Sequence, residues 1–290
     1  MVEPNFLVLG AEKSGTTWLY NKLREHPEVY LPLTKECHFF NRYNSNLEEN
    51  NNYTELGWSW YRRFFENAPE MAKSWGEVTP MYLCDPEAPE RIASNLPDIK
   101  LIYILRNPIT RAYSHYWMAY RKGHTNKTFE EIVADKDPRF IKRGLYASQL
   151  QKYHDLFPAN NIRGFIYEHF FDQSYEGLNN IYDFLDVSLR KKPENKNSNK
   201  VHGAPKPKNK FLHNVISKTA KSLRKNKITF GLLDWFKKTG IAPAIKHWNL
   251  DSEPYPSISK AMYNKLLEYY MPDINKLETE FGLNVDDWKK

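Results

Sequence analysis

The residues best able to do chemistry in this chain stand together in the stretch FLVLGAEKSGTTW, residues 6–18. An apolar run, Phe6 to Leu9, stops at Gly10 and gives way to a loop of small residues. Thr16 through Arg24 then resume with helical spacing, Leu19 and Leu23 on one side. A strand, turn and helix in that order aim backbone N–H groups at one spot, where the helix N-terminus adds partial positive charge, so the loop suits a phosphate. Gly15 permits close approach, Ser14, Thr16 and Thr17 bring hydroxyl donors, and Lys13 brings a full positive charge.

A nucleotide-hydrolysing loop would place Lys directly after its second Gly. Gly10 and Gly15 keep that spacing, but Thr16 stands where the Lys belongs and Lys13 is the loop's only Lys. The next strongly apolar strand, Leu101 to Leu105, ends in Arg106, where a magnesium-binding strand would carry Asp. Two cationic strand ends in one sheet suit an anionic cofactor held by protein charge, with no metal in the site.

KSGTTW, together with LRNPITRAYSHYW at 105–117, resembles the two cofactor-binding signatures of sulfotransferases that use 3′-phosphoadenosine 5′-phosphosulfate (PAPS). The resemblance implies that Lys13, Ser14, Gly15, Thr16 and Thr17 hold the 5′-phosphosulfate, and that Arg106 and Ser114 hold the 3′-phosphate. Sulfuryl transfer needs a base for the acceptor's proton and positive charge beside the bridging oxygen that leaves, which Lys13 can supply. KECHFF, residues 35–40, is similar to the KExHFF element of the glycan-modifying branch, which includes the heparan sulfate sulfotransferases. In that branch the Glu is the presumed base and the His assists, which carries those roles to Glu36 and His38. Period 2 in an extended segment puts Glu36 and His38 on one face, with Cys37 turned away and Phe39 turned into the core. The plainer alternative is that Glu36 pairs with Lys35 and His38 is structural. Asn41 and Val78 depart from the heparan-type pattern, which carries an acidic residue and a Lys there; both are read as acceptor-side positions, so a heparan-like acceptor stays open.

Around these residues the chain alternates strand and helix patterns, which predicts an α/β fold: a three-layer, P-loop-like arrangement with a mostly parallel central sheet and a helical C-terminal part. Strands are expected at 6–9, 29–31, 75–78, 100–105 and 162–167, and helices at 16–24, 58–65, 86–95, from Pro108 onward, at 139–157, 175–185 and 257–270. Asn107 can cap the helix that Pro108 opens. Within it, Asn107, Arg111 and Ser114 share one face, while Ala112, Tyr113, Tyr116 and Tyr120 form an aromatic face suited to packing. The Asn-rich run 41–52 reads as a surface loop.

One domain is expected over 1–290, made of an α/β core (1–187), a basic loop or lid (188–210) and a helical part (211–290). Between Ser188 and Lys227 thirteen Lys or Arg face one acidic residue, although the whole chain carries only +7. In the resembled family a loop near this place closes over the cofactor, and Lys206 and Lys208 stand in for its missing Lys-Gly-Arg triplet. No window of about 18 apolar residues predicts a membrane span, and the two cysteines are read as free thiols in a cytoplasmic protein. The expected activity is transfer of a sulfuryl group from PAPS to a hydroxyl, with an amine as second choice, of a carbohydrate or carbohydrate-bearing acceptor. No nucleic-acid partner is expected, and the oligomeric state is left open. The alternatives are a P-loop kinase-like phosphotransferase and a non-enzymatic binder of acidic glycan or nucleic acid through residues 188–227.

Overall fold

In chain order the described elements are β1 (Phe6–Gly10), α1 (Thr16–Arg24), β2 (Val29–Tyr30), α2 (Gly57–Arg62), β3 (Ser74–Val78), α3 (Ala88–Asn95), β4 (Lys100–Leu105), α4 (Pro108–Arg121), α5 (Phe129–Ala134), α6 (Tyr146–Leu156), β5 (Ile162–Ile166), α7 (Tyr167–Asp172), α8 (Ser174–Phe184), β6 (Lys206–Pro207), β7 (Leu250–Asp251) and α9 (Lys260–Thr279). The structure is a computed structural model that describes residues 3–190, 206–207, 250–251 and 255–290.

Every residue of β1 is buried, and successive side chains go to opposite faces. Phe6 and Val8 enter one apolar cluster, Leu7 and Leu9 the other. β4 divides the same way, Ile102 and Ile104 against Leu101, Tyr103 and Leu105. A strand buried on both faces needs a layer on each side. α1 and α8 supply one through Leu19, Leu23, Ile181 and Phe184. α3, α4, α6 and α9 supply the other through Ile92, Ile109, Leu150 and Leu266. The sheet order is β2-β3-β1-β4-β5, parallel throughout, so the expected three-layer α/β architecture holds. With β1 between β3 and β4, the loop after Gly10, the Thr79-Pro80 turn and Arg106 all emerge at one sheet edge.

α4 begins as its sequence demands. The Asn107 side chain accepts from Ile109 N (2.9 Å) and Thr110 N (3.3 Å), and Pro108 fills the first turn. Ala112 and Tyr116 reach the core as expected, but Tyr120 is largely exposed.

The expected long helix over 139–157 is instead a 3-10 turn at Lys142–Gly144 followed by α6. A side chain at Gly144 would meet Pro108 Cβ and the Tyr270 ring, each at 2.9 Å, so the chain bends where three elements converge. α6 then starts on a borrowed cap: Asp273 of α9 accepts from Tyr146 N at 2.8 Å and from Ala147 N at 3.2 Å. α9 runs past the expected Tyr270 to Thr279, carrying Pro272 inside it. Its face is the predicted one, with Leu266 and Tyr270 buried and Met262 and Leu267 packed against them. The run 41–52 is not merely surface. Asn41 is fully buried, and Asn50 and Asn52 donate to the His38 carbonyl at 2.6 and 3.0 Å.

The basic segment lies mostly outside the described residues, Lys208 among them. Lys206 belongs to β6, whose backbone pairs antiparallel with β7 beside α4.

Candidate active site

The loop between β1 and α1 is held on both sides. Ala11 N donates to Ile104 O (2.8 Å), Leu83 N to Leu9 O (2.9 Å) and Thr79 N to Val8 O (3.2 Å). Gly15 caps α1 in the left-handed region at φ 76°, and a Cβ there would lie 2.4 Å from the Phe171 ring. Only glycine fits both constraints. Ser14 is fully buried and its hydroxyl has no partner, an orphaned donor inside the loop. Thr16 is buried and Thr17 is exposed.

Positive charge crowds this loop. Burial pushes the Lys13 amino group down to about 8, and Lys122, Arg106 and Lys35 push the same way against the pull of Glu12. Its Nζ rests 3.5 Å from Met118 Sδ on α4. Ser114, buried one turn earlier, shares that inner face of α4. The Arg106 guanidinium carbon sits over the Tyr167 ring, 4.8 Å from its centre, and the side chain donates to Lys13 O (3.1 Å) and Thr110 Oγ1 (3.2 Å). Lys13, Arg106 and the Ser114 face of α4 thus converge on one loop, and an unpartnered hydroxyl among cations suits an anionic group.

Glu36 and His38 do meet, but for a different reason than strand periodicity. Residues 35–39 form no strand, and His38 sits in the left-handed region at φ 53°. That turn returns its Nε2 to 3.3 Å from Glu36 Oε2. Cys37 and Phe39 are both buried in the core. On the far side of the ring, Asn41 Oδ1 lies 3.3 Å from His38 Nδ1, while Asn41 Nδ2 donates to Tyr43 O at 2.7 Å. Burial alone would raise the Glu36 carboxyl. The hydrogen bond from His38 and the Lys35 charge outweigh it and hold the group well below the usual carboxylate range.

Lys35 pairs with Glu36, as the plainer alternative has it, and also reaches the loop. Its Nζ lies 2.8 Å from Glu36 Oε1 and 3.3 Å from Thr16 Oγ1, so one ammonium spans the loop and the carboxylate. Glu12 and Arg143 were missed outright. Arg143 NH1 donates to Glu12 Oε2 at 2.8 Å and NH2 to Ser45 O at 3.1 Å, and nothing local ties residues 131 positions apart. Burial would raise Glu12, but the neighbouring charges, Arg143 and Arg111 among them, bring it below its ordinary range. His115, pushed down to about 3 by burial, is neutral near pH 7, so its 3.5 Å approach to Glu12 is no ion pair and Arg143 is the charge partner. A cavity of about 170 Å³, lined by Tyr43, Met81, Lys142, Arg143 and Gln149, opens beside this pair.

Both departures from the heparan-type pattern are buried. Val78 is buried with Leu19 and Val8 on the α1 face of the sheet, and Asn41 is fully buried behind His38.

The chain is similar to known proteins in sequence and in fold. The profile of the family described as "Sulfotransferase domain" matches residues 3–230. Human "Heparan sulfate glucosamine 3-O-sulfotransferase 3B1" is 30% identical over 210 residues, 70% of this chain and 51% of that protein. "Membrane-associated sulfotransferase kil1" of Dictyostelium discoideum is 36% identical over 141 residues, 46% of this chain and 28% of that protein. The chain thus spans about half or less of the length of these curated relatives. In fold it is similar to a sulfotransferase from Alicyclobacillus acidocaldarius, with a TM-score of 0.72 at 23% identity over the full length of both chains.

Proposed function

The chain belongs to the sulfotransferase family, and on that footing we propose that it transfers a sulfuryl group from PAPS to a hydroxyl, with an amine as second choice, of a carbohydrate or carbohydrate-bearing acceptor. The observation that carries this reading is the Lys35 ammonium, shared between Thr16 at the start of α1 and Glu36. It ties an anion-binding loop to an ionised carboxylate in one site, as sulfuryl transfer to a protonated nucleophile requires. The glycan names of relatives such as the heparan sulfate 3-O-sulfotransferases favour a carbohydrate acceptor.

PAPS supplies an activated sulfuryl group. Lys13, Ser14, Gly15, Thr16 and Thr17 hold its 5′ end, and Arg106 with Ser114 holds the 3′-phosphate, with Lys206 and Lys208 as lid contacts. A bound anion offsets the cost of burying the Lys13 charge, and that charge then steadies the negative charge growing on the leaving oxygen. Glu36 accepts the acceptor's proton. While Lys35 and His38 hold it, it is ionised but weakly basic, so its basicity rises as Lys35 turns toward the donor's anionic groups. Asn41, fixed by Tyr43 O, offers its oxygen to His38 Nδ1 and keeps Nε2 turned to Glu36.

The test is incubation with radiolabelled PAPS and a panel of glycans, lipids and phenols, with and without magnesium. Label should pass to a glycan without metal. Absence of transfer to every acceptor, or magnesium-dependent transfer of phosphate from a nucleotide instead, refutes the reading.

A further inference from the structure

Behind Glu36 and His38 lies a polar cluster that no part of the proposed reaction uses. Glu77, the penultimate residue of β3, is fully buried and accepts four hydrogen bonds. Oε1 takes the hydroxyls of Tyr61 (2.7 Å) and Tyr82 (2.8 Å); Oε2 takes the Thr79 hydroxyl (2.6 Å) and the Cys37 amide (3.2 Å). All four incoming groups are neutral donors.

Two of those hydroxyls also receive. Thr79 Oγ1 accepts from Cys37 N at 3.1 Å, and Tyr82 Oη accepts from Phe39 N at 3.0 Å. The amides on either side of His38 therefore end on one carboxylate, Cys37 directly and through Thr79, Phe39 through Tyr82. Neighbouring bonds complete the grip. Val78 N donates to Lys35 O (3.4 Å), and Asn50 and Asn52 hold the His38 carbonyl. Glu36 and His38 are thus carried on a segment without secondary structure whose shape is set from behind.

We infer that Glu77 is a positioning residue: its buried carboxylate fixes the Cys37 and Phe39 amides, and through them the placement of Glu36 and His38. This rests on the sulfuryl-transfer reading above. The chemistry explains why an acid stands here. Each hydroxyl that accepts an amide proton must send its own proton onward, and only a carboxylate offers acceptors on both sides. An amide has one oxygen and one NH2 group, so one relay would face a donor and its amide would lose its anchor. Burying a charge is costly unless donors replace water, and four of them do so here.

The test compares Glu77→Gln, and the milder Tyr82→Phe, in the wild-type and Glu36→Gln backgrounds. Three quantities are read: single-turnover sulfuryl transfer, calorimetric binding of adenosine 3′,5′-bisphosphate, and amide hydrogen exchange over residues 35–40. Glu77→Gln should slow turnover by roughly tenfold to a hundredfold, the scale of a misplaced catalytic group. Cofactor binding should stay within about twofold, because the loop and Arg106 are untouched. Exchange at Cys37 and Phe39 should speed up. In the Glu36→Gln background the same substitution should add almost nothing, since a residue that acts through Glu36 has nothing left to position. Multiplicative losses in the double variant overturn the inference, as does unchanged exchange. If Glu77→Gln does not fold, Tyr82→Phe carries the same comparison through Phe39 alone. If the wild-type protein transfers no sulfuryl group, the reaction reading falls, and the exchange comparison by itself decides whether Glu77 holds the segment.

Discussion

Lys13→Met separates what the loop between β1 and α1 costs the free protein from what it is proposed to gain on binding the cofactor. In the folded chain the Lys13 amino group is pushed down from 10.5 to about 8 by burial among other cations. The sign follows from proton counting. Between pH 8 and 10.5 the unfolded chain holds a proton on Lys13 that the folded chain has released, so stability rises with pH across that window. Below pH 8 both states are protonated and the full penalty applies, about 3 kcal/mol at 1.36 kcal/mol per unit. Lys13→Met should therefore unfold later than wild type at pH 7, and the gap should close as pH approaches 10.5. Binding of adenosine 3′,5′-bisphosphate should reverse the effect by recharging Lys13. At pH 8.5 the free group is about one quarter protonated, so binding should take up about three quarters of a proton. Denaturation curves from pH 7 to 10.5 measure the first effect. Calorimetry at pH 8.5 in two buffers of different ionisation enthalpy measures the second. A variant no more stable than wild type at pH 7, together with binding that moves no proton, would refute the reasoning.

Glu36→Gln should cut turnover by roughly 10² to 10⁴, the usual scale for a lost general base, while adenosine 3′,5′-bisphosphate binds as before; near-normal turnover on a verified acceptor would move the base to His38. Arg106→Ala should weaken that bisphosphate about tenfold to a hundredfold and leave adenosine 5′-phosphate almost unaffected, checked by calorimetry, because only the 3′-phosphate loses a charge-assisted contact. Asp273 is raised to about 6 by burial, against the pull of the Ala147 and Tyr146 amides. The folded state thus binds the extra proton, and stability falls as pH rises from about 4 to 6. Asp273→Asn keeps an acceptor for the α6 amides and removes the titration, so melting scans from pH 4 to 7 should lose that slope; an unchanged slope assigns it to another group.

The sheet and the loop between β1 and α1 were legible in the sequence because their causes are local. β1, and β4 after Lys100, are apolar runs and therefore need cover on both faces, and the Gly15 requirement is written in one residue's backbone. The Asn107-Pro108 start of α4 was legible for the same reason. Glu36 and His38 were found by motif, but the reason they meet was not. Period 2 assumes an extended chain, whereas His38 turns left-handed because amides and a carbonyl around it are bound by residues from elsewhere in the chain. The start of α6 was misjudged because its cap is Asp273, more than a hundred positions away. Glu12 and Arg143, Lys35 and Thr16, and the bonds from Cys37 and Tyr61 to Glu77 likewise join residues well apart in the chain. Periodicity and capping reach only a few residues along the chain, so the sequence by itself determined which residues could hold an anion or take a proton. Which of them share a partner, and how strongly burial shifts their charge, was decided only when the sheet order brought three strand ends to one edge.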